Sequence, residues 1–149
     1  MADPGPCVTA WAVKVGRSTV LAVARKPGFT TLSSSDQELV AVSSCVAAVV
    51  AMRGMAAEFG MPQEEPSIVG CDNNSVTLIS RAAASFKSAL YLARRAVFLQ
   101  ESTQEGHTSV VDVPTDSNYV DILTKSFYKK PRVFFQHVVK LLNLDSLLG

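Results

Sequence analysis

Three carboxylates stand where they could do chemistry together. Asp72 follows the apolar run Ile68-Val69-Gly70-Cys71, within Cys71-Asp72-Asn73. Asp121 opens Asp121-Ile122-Leu123-Thr124-Lys125. Glu38 heads the longest apolar stretch. Each sits at the edge of an apolar segment, and side chains at such edges gather at one end of an α/β sheet. Three carboxylates meeting there would hold magnesium or manganese for phosphodiester chemistry. Magnesium takes oxygen ligands and is held by few carboxylates, with water and phosphate completing the shell. A pair of ions about 3.5–4 Å apart activates the attacking water and stabilises the leaving oxygen. The three carboxylate carbons are then expected within roughly 8 Å of one another.

Each carboxylate also has a plainer use. Ser35-Asp36-Gln37-Glu38 fits the capping-box pattern, in which Glu38 reaches back to a helix start. Asp72 and Asp121 suit the caps or first turns of following helices, with Asn118 as a second cap candidate. Periodicity separates the readings for Glu38. At about 100° per residue it shares a stripe with Val42, Cys45, Val49 and Met52. That stripe is expected to face a sheet, and an inward carboxylate there needs a cation or hydrogen-bond donors.

The elements that position these residues read as follows. Val8–Val15 and Thr19–Arg25 are β-branched segments that Gly16-Arg17-Ser18 joins as a hairpin. Ser33-Ser34-Ser35 leads into a helix over Ser35–Phe59, stopped by Gly60 and Pro62. Ser67–Cys71 reads as a buried strand and Asn73–Ser80 as a short helix. Phe86–Gln104 reads as a helix with Leu90, Ala93, Val97 and Phe98 on one face. Ser109–Val113 is a strand and Asn118–Lys125 a helical turn. Pro131–Leu142 is a helix with Val133, Phe134, Val138, Leu141 and Leu142 on its apolar side. The order predicts an α/β fold, with a hairpin first and helix-linked strands after it.

Composition sets the frame. The 149 residues suit one domain, and an apolar fraction of 48% supports a substantial core. Residues 1–80 carry net charge −2 and residues 81–140 net +4, a mild basic bias that suits a polyanion but falls short of a strong nucleic-acid signature. Lys125, Lys129, Lys130 and Arg132 form a basic stretch after Asp121, either a solvated turn or a set of phosphate contacts. Cys7, Cys45 and Cys71 show no metal-ligand spacing, and no secretory pattern opens the chain, so a cytoplasmic or nuclear protein is expected. The uncharged run Leu39–Met52 is shorter than the roughly 20 residues of a membrane span and reads as a buried helix. His107 reads as an exposed loop residue, His137 as packing or surface, and Trp11 as core.

Three segments resemble a known family. Thr31-Leu32-Ser33-Ser34-Ser35-Asp36-Gln37-Glu38-Leu39-Val40-Ala41-Val42-Ser43 resembles the "ALSSTEAEYMALS" stretch of ribonuclease H domains in copia-type LTR retrotransposon polyproteins. Cys71-Asp72-Asn73-Asn74-Ser75 is similar to their "CDNQSA". Val113-Pro114-Thr115-Asp116-Ser117-Asn118-Tyr119-Val120-Asp121-Ile122-Leu123-Thr124-Lys125 resembles their "VPTEDQLADILTK". The resemblance spans about residues 8–145, in the family's order. It implies a ribonuclease H-like mixed sheet flanked by helices, and metal-dependent hydrolysis of the RNA strand of RNA–DNA hybrids during reverse transcription. It also implies that Glu38, Asp72 and Asp121 are catalytic metal ligands for Mg2+ or Mn2+. Ser34, Ser35 and Asn74 match positions near the hybrid's minor groove, where 2′-hydroxyls mark the RNA strand.

Two departures shape the expected activity. The family's first strand, which carries its first catalytic Asp, has no counterpart, since only seven residues precede Val8. The family's "KHID" segment is replaced by Leu90-Tyr91-Leu92-Ala93. The expectation is a weak or inactive nuclease. A second function class stands beside it: a non-catalytic ribonuclease H-like module that binds nucleic acid or a protein partner, such as the rest of a reverse transcriptase polyprotein.

Overall fold

A computed structural model describes residues 8–26, 33–81, 90–114, 117–123 and 131–142, with the side chains of Leu90, Asp121 and Ile122 outside the description. Strands β1 (Thr9–Val15) and β2 (Ser18–Arg25) form the antiparallel hairpin, turned at Gly16-Arg17. Gly16 takes φ 59°, a left-handed value that glycine adopts without steric cost. The register shifts between Val13 and Lys14.

Helix α1 (Ser34–Glu58) begins earlier than its capping box predicts. Ser33 is the N-cap, and its hydroxyl accepts the Asp36 amide at 3.1 Å. Ser35 therefore lies inside the helix, and the reciprocal role assigned to Glu38 does not arise. Phe59 and Gly60 close the helix. The Met61 amide reaches the Ala56 carbonyl at 2.8 Å and the Gly60 amide reaches Ala57 at 3.0 Å, a Schellman ending with Gly60 at φ 78°. Two faces of α1 are buried. Val42, Cys45 and Val49 face the strands, while Leu39, Ser43 and Val46 complete the buried girth. At 25 residues, with an 18-residue stretch of mean hydropathy 1.9, α1 is long and apolar enough to cross a bilayer. Here it is the helix around which the described core is built.

Arg53 ties the end of α1 to the next strand. Its guanidinium donates to the carbonyls of Gln63 and Glu65 at 2.8 Å each and to the Ser67 hydroxyl at 3.0 Å. Strand β3 (Ser67–Cys71) then pairs in parallel with β4 (Thr108–Asp112), matching Cys71 with Asp112. Parallel strands need a crossover. Helices α2 (Asn74–Ser80) and α3 (Leu90–Gln104) lie within it. Gly70 is required by contact: a Cβ there would meet a Val113 methyl at 2.6 Å.

The buried face of α3 is Leu92, Ala96, Leu99 and Ser102, at helical spacing. The expected face was wrong at Val97, which is half exposed. The Phe86–Lys87–Ser88–Ala89 part of the expected helix lies outside the described residues. A 3-10 turn over Tyr119–Leu123 and helix α4 (Pro131–Leu142) complete the order. On α4, His137, Val139 and Leu141 are buried, whereas Phe134 and Leu142 are exposed. Of the expected apolar side, Leu141 is buried and Val133 and Val138 are half-buried, so the departures are the exposed Phe134 and Leu142 and the buried His137 and Val139. The end of α4 is fixed to the hairpin, because Thr19 donates its hydroxyl to the Leu141 carbonyl and Lys14 its ammonium to that of Lys140.

The chain is mixed α/β, with four α-helices and two two-stranded sheets among the described residues. The single mixed sheet expected from the sequence is split: β1 pairs with β2, β3 pairs with β4, and no described strand joins the two pairs. Both pairs rest on α1, whose apolar surface is broad enough to serve each.

Candidate metal centre

Glu38 lies just past the first turn of α1, and Asp72 directly follows β3. Cys71 links them. It is fully buried as the last residue of β3, and its thiol donates to Glu38 Oε1 at 3.6 Å. Burial pushes the Cys71 thiol up to about 12; the Asn73 backbone opposes this, and the charges of Glu38 and Asp72 add to it. The thiol therefore stays protonated, and Glu38 Oε1 and the Asn73 carbonyl, each at 3.6 Å, share its one hydrogen.

Asn73 frees Asp72 from the capping role. Its Oδ1 accepts the amides of Ser75 at 3.0 Å and Val76 at 3.4 Å, so Asn73 is the N-cap of α2. Its Nδ2 donates to the Ser35 hydroxyl at 3.2 Å, joining the start of α1 to the β3–α2 turn. Glu38 and Asp72 are thereby held on two elements locked by side chains, with both carboxylates only partly buried.

Both face one cavity of about 730 Å3 between β1 and β3. Ala41, Val42, Cys45, Val49 and Met52 of α1 line its floor, and Ser117–Val120 line part of its wall. The stripe that sequence periodicity assigned to α1 is this floor. Tyr119 stands in the wall, its hydroxyl raised above the ordinary tyrosine range by burial and then by Cys45. Burial lifts the Cys45 thiol to about 11.

Of the three expected ligands, the structure brings Glu38 and Asp72 to one cavity. The third, Asp121, belongs to the 3-10 turn whose Tyr119 and Val120 line that cavity, but its side chain lies outside the described residues. Among the described residues no group of three or more His, Cys, Asp and Glu side chains is placed to hold a metal ion. Glu38 and Asp72 are the carboxylates among the described residues that line the cavity, and oxygen donors of this kind are what magnesium takes, with water completing its shell.

No family model, curated protein or solved structure matches this chain.

The remaining expected residues divide. Ser34 lines the cavity, Ser35 binds Asn73, and Asn74 is exposed at the start of α2, so all three lie near the Glu38–Asp72 end. Arg132 is exposed in the first turn of α4, while Lys125, Lys129 and Lys130 lie outside the described residues. His107 is partly exposed, 3.2 Å from Glu105, and His137 is buried. Sequence reasoning passed over Asp112, which ends β4 in register with Cys71 and accepts the Thr77 hydroxyl at 2.7 Å. Its signal was available: a carboxylate closing an apolar strand, as Asp72 follows one.

Proposed function

We propose that the chain is a ribonuclease H-like domain of a copia-type retrotransposon polyprotein that hydrolyses the RNA strand of RNA–DNA hybrids with Mg2+ or Mn2+. The observation that carries this reading is that Glu38 and Asp72 face one cavity while the Asp121 turn contributes to its wall. In this reading Glu38 and Asp72 hold the ion, and the Cys71 thiol lies within reach of the Glu38 carboxylate. When bound, the metal supplies Lewis acidity and an activated water. Ser34 and Asn74, beside that end, meet the hybrid's 2′-hydroxyls. Lys125, Lys129, Lys130 and Arg132 supply the phosphate contacts. The protein works in the cytoplasm or nucleus beside the rest of a reverse transcriptase polyprotein.

One observation favours a second reading, a non-catalytic module that binds hybrid or a protein partner. Among the described residues only two carboxylates reach the cavity, too few for a two-ion centre. Manganese titration followed by electron paramagnetic resonance tests the metal site both readings share. Glu38→Gln and Asp72→Asn should each weaken binding about tenfold or more, as loss of a charged ligand does. Equal manganese binding by all three proteins would remove the site.

A further inference from the structure

We infer that the chain binds a second copy of itself head to tail, with the acidic end of α1 in one molecule seated on the basic surface that the hairpin and α4 form in the other. This goes beyond the hydrolase reading and does not rest on it.

Charge is the first observation. Residues 8–26 and α4 carry Lys14, Arg17, Arg25, Lys26, Arg132 and Lys140, with no Asp or Glu. The hairpin and α4 form one surface, because Lys14 and Thr19 bond carbonyls at the end of α4. Residues 55–65, by contrast, carry Glu58, Glu64 and Glu65, with no Lys or Arg. All three glutamates are exposed, and none is in an ion pair among the described residues. Arg53, just before this segment, is half-buried, with its guanidinium on the Gln63 and Glu65 carbonyls and the Ser67 hydroxyl. A chain of net charge +1 thus keeps its two signs apart.

The second observation is apolar. Single exposed apolar residues are ordinary on a protein surface. Here they stand inside both charged regions. The acidic end exposes Met55, Phe59 and Met61, with Phe59 80% exposed. Met55 and Phe59 lie one turn apart on α1, and the bond from the Met61 amide to the Ala56 carbonyl brings Met61 back to that turn. The basic surface exposes Val20, Phe135 and Leu142. Phe135 and Leu142 lie two turns apart on one side of α4. Apolar anchors within a charged rim are how protein interfaces are built, and rims of opposite sign complement each other.

The pairing selects the occupant. A nucleic acid or an anionic lipid surface would meet the basic side and leave the acidic, apolar end of α1 without a use. Phosphates also have no use for Val20 or Leu142. A second copy answers to both regions at once. Both stay exposed in the folded chain, since α4 packs on the 3-10 turn and β2, whereas α1 packs on β1, β3, β4, α2 and α3. The match is therefore made between molecules, as a heterologous contact in which each partner offers a different surface.

Sedimentation velocity on the whole 149-residue chain tests this without metal or nucleic acid, so its failure is separable from failure of the hydrolase reading. The average mass should rise with concentration between micromolar and millimolar, and fall again as salt is added. Phe59→Lys and Phe135→Glu each reverse the local charge with a sign that suits that end of the helix, so both should melt like the unaltered chain. Each alone should weaken association by about tenfold or more. Mixed in equal amounts, the two variants should pair again, because each keeps the surface that the other lacks. Glu58→Lys and Arg132→Glu make a second such pair where either first variant melts early. A chain that stays monomeric at every concentration would overturn the proposal. So would association that survives in either variant alone, or folded variants that fail to pair when mixed. Association that appears only on adding RNA–DNA hybrid or phosphatidylserine vesicles would assign the basic surface to that polyanion and overturn it as well.

Discussion

At the residue scale, the turn Cys71-Asp72-Asn73 divides three tasks among three neighbours. Cys71 donates to Glu38, Asn73 caps α2 and binds Ser35, and Asp72 is left facing the cavity. The sequence made Asp72 a candidate, yet it left open whether Asp72 or its neighbour capped the helix. Both residue types cap well, so geometry alone decides. Asn73→Ala should lower stability by about 1–2 kcal/mol, from the lost cap and the lost tie to Ser35. An unchanged denaturation midpoint would contradict that division. The thiols make a second prediction. Burial raises Cys45 to about 11 and Cys71 to about 12 from 9.0. The unfolded chain thus gives up these protons first as pH rises, so their contribution to stability is full below about pH 9 and lost above it. The melting temperature should fall between about pH 9 and 11, less steeply in Cys71→Ala. A profile that rises over that range, or one equally steep in the variant, would show that the thiols are not buried in this way.

At the element scale, strand and helix order were legible because β-branched runs and glycine or proline stops are local signals. Ser67–Cys71 was read with its observed bounds, and α4 likewise. Facing was harder. Helix α3 carries apolar residues on more than one side, so spacing alone allowed both the Val97 face and the Leu92–Ala96–Leu99 face. Packing against α1 and α2 selected the second. On α4, Leu141 was read as inward and is buried, whereas Phe134 was read as inward and is exposed. The orientation of α3 has a direct test in paired truncations. Leu99→Ala should cost about 2–5 kcal/mol, since Leu99 is fully buried. Val97→Ala should stay within about 0.5 kcal/mol. Comparable losses, measured by urea unfolding, would mean that α3 presents another face to the core.

At the scale of the whole molecule, the sequence showed which segments are strands but not the distance between them. Nothing local in β1 or β3 records whether the two touch, so one mixed sheet was expected where two pairs stand apart. The same gap creates the cavity that gathers Glu38, Asp72 and the start of the Asp121 turn, so the site and the split sheet are one feature. The proposed hydrolysis depends on that gathering. Its most direct test is cleavage of an end-labelled RNA–DNA hybrid with Mg2+ or Mn2+, comparing the chain with Asp72→Asn. Slow, metal-dependent cleavage of the RNA strand that Asp72→Asn abolishes is the expected result. No cleavage by the unaltered chain, with hybrid still bound and released by salt, would contradict hydrolysis and leave the non-catalytic module. Cleavage that survives Asp72→Asn would contradict the assigned site itself.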